Sequence, residues 1–284
     1  MNLSLGTIHT MLVDGETETG YIVTKGLNET ILAFEETNQS YRVGELVDVF
    51  VYQAKNGDVT VTAQLPDIVI GSYGWVEVVD IFPSLGVFVK LTDSIDVLLP
   101  KDDLPFVHKA WPLPKDKLYI TLSLDKQNRL LGKLGKETIF EDMMQIASSD
   151  IELNERVAGR IIRSEREGAV IFTDDQYRGF IHHSEMEHDV RLGELVEGRI
   201  IEVKENGTIN VSLKPMKHER LDDDAETILS YIEAQDGQIP FGDKSDADLI
   251  RDTFGMSKSA FKRALGRLMR EGKVKQENGS TFKL

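Results

Sequence analysis

The chain has 284 residues, of which 40% are hydrophobic, and a formal net charge of −15. The hydrophobic share is sufficient for globular cores. The negative net charge argues against a protein that coats nucleic acid or anionic membranes non-specifically. The lack of cysteine excludes disulfides, thiolate metal sites and cysteine nucleophiles. No apolar run reaches the about 20 residues of a membrane-spanning helix and no secretory signal is recognisable, so we expect a cytoplasmic protein.

Residues 1–66 contain five short apolar runs separated by turn formers such as Asp14-Gly15 and Asn56-Gly57. This rhythm, without a long helical pattern, predicts a small closed β-barrel. Nine acidic residues stand against three basic ones here, the largest acidic excess of any segment of the chain. We therefore expect this module to be a spacer or to contact protein partners rather than nucleic acid.

Residues 67–146 repeat the rhythm and predict a second barrel. Near its end, Ile139, Met143 and Ile146 recur at helical spacing, which predicts a linker helix over residues 138–147.

Residues 147–217 predict a third barrel, and a repeated phrase supports the modular interpretation. Arg42–Leu46 reads Arg-Val-Gly-Glu-Leu, and Arg191–Leu195 reads Arg-Leu-Gly-Glu-Leu. Each copy precedes an apolar strand, an Asn-Gly turn and a closing strand. Two copies of one short β-unit indicate a string of small modules rather than one large enzyme.

Residues 218–284 change to a helical pattern. Amphipathic stretches over 225–235 and 245–254 precede a third helix that starts after Ser257 and stops at Gly272, and the last residues read as a β-hairpin. Three helices closed by a hairpin predict a winged helix-turn-helix. The fold class is therefore mainly β with a C-terminal α+β domain, in four domains with the boundaries given above.

The third helix of this domain is strongly cationic on one side. Phe261, Ala264, Leu265, Leu268 and Met269 should occupy its apolar half. The polar half of the helix and the residues after its end carry the cations that we expect to bind phosphates: Lys258, Lys262, Arg263, Arg267, Arg270 and Lys273. The alternative is that these cations only solubilise a helix whose domain mediates protein contacts.

Two phrases in the third module resemble a known domain. Gly179–Met186 reads Gly-Phe-Ile-His-His-Ser-Glu-Met, and Ile209–Lys214 reads Ile-Asn-Val-Ser-Leu-Lys. Both resemble strands of the S1 RNA-binding domain, an OB-fold barrel. The phrases Leu85–Val89 and Val97–Leu104 resemble a second copy, and the first module is a looser one. Three S1-like barrels followed by a winged helix resemble the bacterial conserved virulence factor B family. That resemblance implies RNA binding and a regulatory role, including virulence genes.

Strand alternation selects the candidate RNA-binding residues of the third barrel. Val170 and Phe172 should share one face, opposite Ala169 and Ile171. The same period places Arg178, Phe180 and His182 together on one face of the next strand. Phe172, Phe180 and His182 would stack on bases, and Arg178 would contact a phosphate. His182 is the residue that matches the family's binding surface most directly. The open alternatives are that Phe172 and Phe180 belong to the barrel core and that His182 is structural.

Other positions depart from the S1 pattern or complete it. Glu167, Val170 and Thr208 stand where the family has two surface aromatics and an arginine, so the third barrel keeps only part of the platform. In the middle barrel, Phe88 matches the second aromatic, and Lys90 lies on the same face.

These patterns predict a non-enzymatic protein that binds single-stranded RNA and regulates expression after transcription. No nucleophile–base pair is recognisable, and we predict neither a cofactor nor a metal. Two alternatives stay open: an adaptor of a ribosomal or RNA-processing complex that uses the acidic first barrel, and a winged-helix regulator that binds DNA.

Overall fold

The computed structural model of the chain describes residues 3–148 and 150–284, with residues 217–222 as backbone alone. The chain consists of two compact units, the first ending at Leu213 and the second spanning Lys214–Leu284. The first unit holds three consecutive β modules, and the second holds helices and a small sheet. The predicted fold class is confirmed. No helix in the described ranges is long and apolar enough to cross a membrane.

The first module is a curled antiparallel sheet. Its strands are β1 (Thr7–Glu16), β2 (Gly20–Lys25), β3 (Asn28–Ala33), β4 (Leu46–Gln53) and β5 (Val59–Thr62). They pair in the order β3-β2-β1-β4-β5, and β3 approaches β5, so that the sheet forms a near-barrel. Because successive side chains of a strand point to opposite faces, alternate residues such as Met11, Val23 and Leu32 fill the core.

The second module is a closed barrel. Its strands are β6 (Tyr73–Phe82), β7 (Gly86–Lys90), β8 (Asp96–Pro100), β9 (Lys117–Leu124) and β10 (Leu130–Leu134). They close in the order β10-β8-β7-β6-β9, with β10 parallel to β8. Val78, Val87, Leu99 and Ile120 pack in its core.

In the linker between the second and third barrels, the residues that the structure describes are helical only over α1 (Glu137–Glu141). The prediction of a helix as far as residue 147 is therefore wrong. After α1 the chain runs along the third barrel, because the backbone N–H of Gln145 donates to the carbonyl of Gln176 at 2.9 Å and that of Ala147 donates to the carbonyl of Gly207 at 3.0 Å.

The third module is a second closed barrel. Its strands are β11 (Arg156–Glu165), β12 (Gly168–Thr173), β13 (Arg178–His182), β14 (Leu195–Val203) and β15 (Ile209–Ser212). They close in the order β11-β12-β13-β15-β14, with β13 parallel to β15. Ile161, Ile171, Ile181 and Val211 form the centre of its core.

Both closed barrels place a glycine at the start of their second strand. A Cβ on Gly86 would lie 2.1 Å from the carbonyl oxygen of Leu99, and one on Gly168 would lie 2.2 Å from that of Ile181. Only glycine therefore allows the second and third strands to approach at this point. This requirement explains the glycine in the two phrases that resemble the S1 second strand.

The repeated Arg-x-Gly-Glu-Leu phrase forms the same turn in both copies. The backbone N–H of Arg42 donates to the Glu45 carboxylate, and that of Arg191 donates to the Glu194 carboxylate, each at 2.9 Å. The glycine between them has φ values of +96° and +78°. The left-handed conformation explains why both copies keep glycine.

The middle barrel has the same turn without the phrase. The backbone N–H of Leu113 donates to the Asp116 carboxylate at 2.7 Å, and Lys115 takes the left-handed conformation with φ +79°. Asp116 also accepts from the guanidinium of Arg191, with Nε at 2.6 Å and Nη2 at 3.1 Å. This bond raises the pKa of Arg191 above its usual value. The turns of the second and third barrels are thus joined by one bidentate ion pair.

The second unit is a winged helix. It contains α2 (Lys217–Ala234), β16 (Gln238–Ile239), α3 (Ala247–Phe254), α4 (Lys258–Arg270), β17 (Val274–Glu277) and β18 (Ser280–Lys283). The strands pair in the order β16-β18-β17. Helix α4 starts as predicted, because the hydroxyl of Ser257 accepts from the backbone N–H of Ala260. Phe261, Leu265 and Leu268 pack in the core of this unit.

Candidate nucleic-acid interface

Strands β12 and β13 of the third barrel alternate between core and outer face as predicted. Ala169, Ile171 and Ile181 pack in the core. On the outer face, the cross-strand pairs are Val170 with Phe180 and Phe172 with Arg178. The predicted grouping of Arg178, Phe180 and His182 on one face of β13 is confirmed by their greater exposure than that of the residues between them.

Phe172 is not available for stacking in this structure. Its side chain is 7% exposed, and its ring centroid lies 5.0 Å from that of Phe140 in α1. Phe140 is 2% exposed and also contacts Trp75 and Tyr119 of the second barrel. The expectation of an exposed Phe172 is therefore wrong, because the linker helix covers this part of the outer face.

Arg178 is likewise occupied. Its Nε donates to Oε1 of Glu137 at 2.6 Å, and Nη2 contacts the same oxygen. Arg163 of β11 reaches Oε2 of Glu137 with Nη1 at 2.6 Å. The sequence predicts that Arg178 is free to contact a phosphate, but its guanidinium is instead bound to the carboxylate of Glu137 in the linker.

Phe180 and His182 remain accessible at the other end of the same strand. Phe180 is half-buried, His182 is exposed, and their ring centroids lie 6.5 Å apart. The backbone N–H of Ser184 donates to Nδ1 of His182 at 3.2 Å. Because a backbone N–H can only donate, the neutral imidazole carries its proton on Nε2, which becomes a donor for a ligand.

The departures from the S1 pattern weaken the remaining face. Val170 is 1% exposed and Thr208 is 6% exposed, so neither can contact a ligand. Glu167 is exposed beside the start of β12 and brings a negative charge. Of the aromatic positions predicted for the third barrel, Phe180 and His182 are thus the ones that remain accessible for stacking.

The middle barrel presents a better platform, which includes residues that the sequence did not indicate. Phe82 is 43% exposed and meets the half-buried Phe88 edge to face, with centroids 5.4 Å apart. Leu85 is 51% exposed beside them. Lys101 is exposed, and its backbone N–H donates to the carbonyl of Leu85. The position of Phe82, an aromatic residue at the end of the apolar run that forms β6, is the sequence signal that could have revealed it.

Lys90 lies on this barrel in an exposed ion pair. Its Nζ is 2.7 Å from the Asp93 carboxylate. The hydrogen bond and the opposite charge raise the pKa of Lys90 and lower that of Asp93. Because both side chains are solvated, this ion pair contributes little to stability.

Helix α4 presents its cations as predicted, with one exception on the apolar side. Met269 is 43% exposed and does not belong to the buried half of the helix. Lys262, Arg263 and Arg270 are exposed, and no carboxylate of the side chains described lies within ion-pair distance of them. Lys258, at the first turn, is half-exposed.

The other two predicted cations share a carboxylate. Glu271 accepts from Arg267 Nε at 2.7 Å and lies 2.8 Å from Lys273 Nζ. Its hydrogen bonds to Lys273 and Arg267 lower the pKa of Glu271 to about 2. Glu271 therefore stays ionised at neutral pH and partly neutralises this end of the cationic surface.

These features define the class of the protein. Tandem S1-like barrels with exposed rings, followed by a winged helix with a cationic helix, are nucleic-acid-binding folds in one chain. Family models match accordingly: an S1 domain over 5–64, a CvfB first S1-like domain over 73–133, the second domain of virulence regulatory factor CvfB over 140–215 and a CvfB-like winged helix domain over 226–282. The chain belongs to the conserved virulence factor B family.

Individual relatives cover most of the chain. Conserved virulence factor B of Staphylococcus epidermidis is 38% identical over 89% of this chain and 84% of its own length. The Bacillus subtilis protein YitL, described as uncharacterized, is 41% identical over 96% of this chain and 91% of its own. A crystal structure of a multidomain protein with nucleic acid binding domains from Streptococcus pneumoniae is similar with a TM-score of 0.67 and 33% identity, over 99% of this chain and 98% of that one.

Proposed function

We propose that this protein is a non-enzymatic regulator that binds single-stranded RNA and acts on gene expression after transcription. The observation that carries the proposal is the exposed edge-to-face pair of Phe82 and Phe88 on the outer face of an S1-like barrel. Rings at this position of an OB-type barrel stack on unpaired bases, which a duplex does not expose.

The winged helix would add affinity through phosphate contacts. Lys262, Arg263 and Arg270 of α4 are exposed, and among the side chains that the structure describes no carboxylate lies within ion-pair distance of them. The deep, narrow groove of A-form RNA excludes a helix, so α4 would contact the backbone of the strand rather than read base pairs. Each site alone would bind weakly, and tethering in one chain raises the effective concentration of the second site.

A competition experiment tests the proposal. Fluorescence anisotropy of labelled oligouridylate and oligoadenylate with the full chain, at several salt concentrations, should show binding that weakens steeply with salt. Unlabelled single-stranded RNA should displace the probe far more effectively than duplex DNA. Preference for duplex DNA would favour the winged-helix DNA regulator, and salt-independent binding would contradict the phosphate contacts.

One observation favours a second candidate, an adaptor function of the first barrel. Leu12 and Leu46 face each other across β1 and β4 on the outer face, and they are 38% and 68% exposed. The neighbouring Ile22–Ile31 pair adds to this aliphatic surface in the most acidic module. Such a surface fits a basic protein partner better than RNA. Partner capture that survives nuclease treatment and is lost in Leu46→Ser would support this function.

A further inference from the structure

Two arginines of the third barrel converge on the carboxylate of one linker residue. Arg163 comes from β11 and Arg178 from β13, and each takes a different oxygen of Glu137 at 2.6 Å. Arg163 also contacts Glu165 at 3.1 Å. Two guanidinium groups directed at the two oxygens of one anion form the geometry that also recognises a phosphate.

The position of this fork relates it to the accessible part of the barrel. Arg178, Phe180 and His182 lie on the same face of β13 at successive outward positions. A strand that stacks on Phe180 and contacts His182 therefore has the fork next along its path, about two residues or 7 Å away. A strand that continues past Phe180 toward the start of β13 would therefore bring its backbone close to the fork.

Glu137 can leave the fork without opening the junction between the barrels. Its side chain is 21% exposed, and those of Arg163 and Arg178 are 46% and 27% exposed, so water reaches all three. The helix itself is anchored by Phe140, which is 2% exposed among rings of both barrels. A rotation of the Glu137 side chain would release both guanidinium groups from this carboxylate while α1 stays in place, and Arg163 would keep its contact with the exposed Glu165.

We propose that Arg163 and Arg178 form a phosphate site for the nucleic-acid backbone, which Glu137 occupies in the free protein and vacates when a strand binds. The inference rests on the proposed function, because it requires that the third barrel binds a strand. The carboxylate acts as a built-in competitor: it lowers affinity and rejects ligands that cannot replace it.

A charge-matched pair of variants tests the site in the full chain. Glu137→Gln removes the competitor, and Glu141→Gln removes the same charge from an exposed position of the same helix. With labelled oligouridylate, Glu137→Gln should bind about fivefold more tightly than Glu141→Gln. Its plot of log affinity against log salt should be steeper by about 0.7 for each phosphate gained, and Arg178→Gln in the Glu137→Gln background should reverse part of the change.

The outcomes separate the two proposals. Equal affinity and equal slope for Glu137→Gln and Glu141→Gln, with a wild type that binds, would overturn the inference and leave the proposed function intact. No binding by the wild type would overturn both. As a test independent of any variant, the Nε–H resonance of Arg178 should shift when the wild type is titrated with oligouridylate, and an unchanged resonance at saturation would overturn the inference.

Discussion

Truncation of Phe140 should loosen the junction between the second and third barrels. Phe140 is 2% exposed, and its ring lies within 5.0–6.0 Å of three other rings, those of Trp75, Tyr119 and Phe172. Replacement of a buried phenylalanine by alanine costs about 3–5 kcal/mol, because both the transfer of the ring and the remaining cavity contribute. Three ring contacts place Phe140→Ala in the upper half of that range.

Urea unfolding followed by the fluorescence of Trp75 and Trp111, both in the second barrel, measures this effect. With a slope of about 3 kcal/mol per molar urea, the loss corresponds to a midpoint lowered by about 1–2 M. Ile146→Ala is the control, because Ile146 belongs to the same linker but is 73% exposed, so it should change stability by no more than about 0.5 kcal/mol. Equal midpoints for the two variants would refute the view that Phe140 holds the junction together.

Three further predictions concern binding and charge. Phe88→Ala should weaken RNA binding by about 1–3 kcal/mol through lost stacking, measured by anisotropy, whereas Leu27→Ala at an exposed turn of the first module should not. Lys262→Gln should make the salt dependence of RNA binding shallower by about 0.7, and an unchanged slope would remove Lys262 from the interface. Glu271 should titrate near pH 2 by NMR and closer to its ordinary value of 4.5 in Arg267→Gln. Because its folded pKa is lowered, Glu271 contributes stability that is present above pH 4.5 and is lost as pH falls toward 2.

Local patterns in the sequence were sufficient for most of the fold. The alternation along β12 and β13 placed Ala169 and Ile171 in the core, and the cap at Ser257 fixed the start of α4. Both features depend on residues within a few positions of one another. The glycines at the start of the second strands also indicate the fold locally, because the close approach of the third strand at this point leaves no space for a Cβ atom.

The site was less predictable, because its state depends on contacts between distant parts of the chain. Phe172 and Arg178 have the residue types and spacing of a binding face, but Phe140 and Glu137 of the linker cover them. Those partners lie more than 30 residues away in the chain, and the helical spacing of the linker indicates Ile139, Met143 and Ile146 rather than Glu137 and Phe140. The alternation of residues along a strand is the same for an exposed binding face and for a face covered by another segment. Only the tertiary structure therefore distinguishes the two.

The turn that recurs in each barrel has a consequence for how such a chain holds its shape. Asp116 in the turn of the second barrel accepts two hydrogen bonds from the guanidinium of Arg191 in the turn of the third barrel, so these two domains are linked through equivalent turns. The first copy keeps the arginine, Arg42, on the surface. The same turn therefore lies at the surface in the first barrel, whereas in the second and third barrels it also forms part of the contact between neighbouring domains.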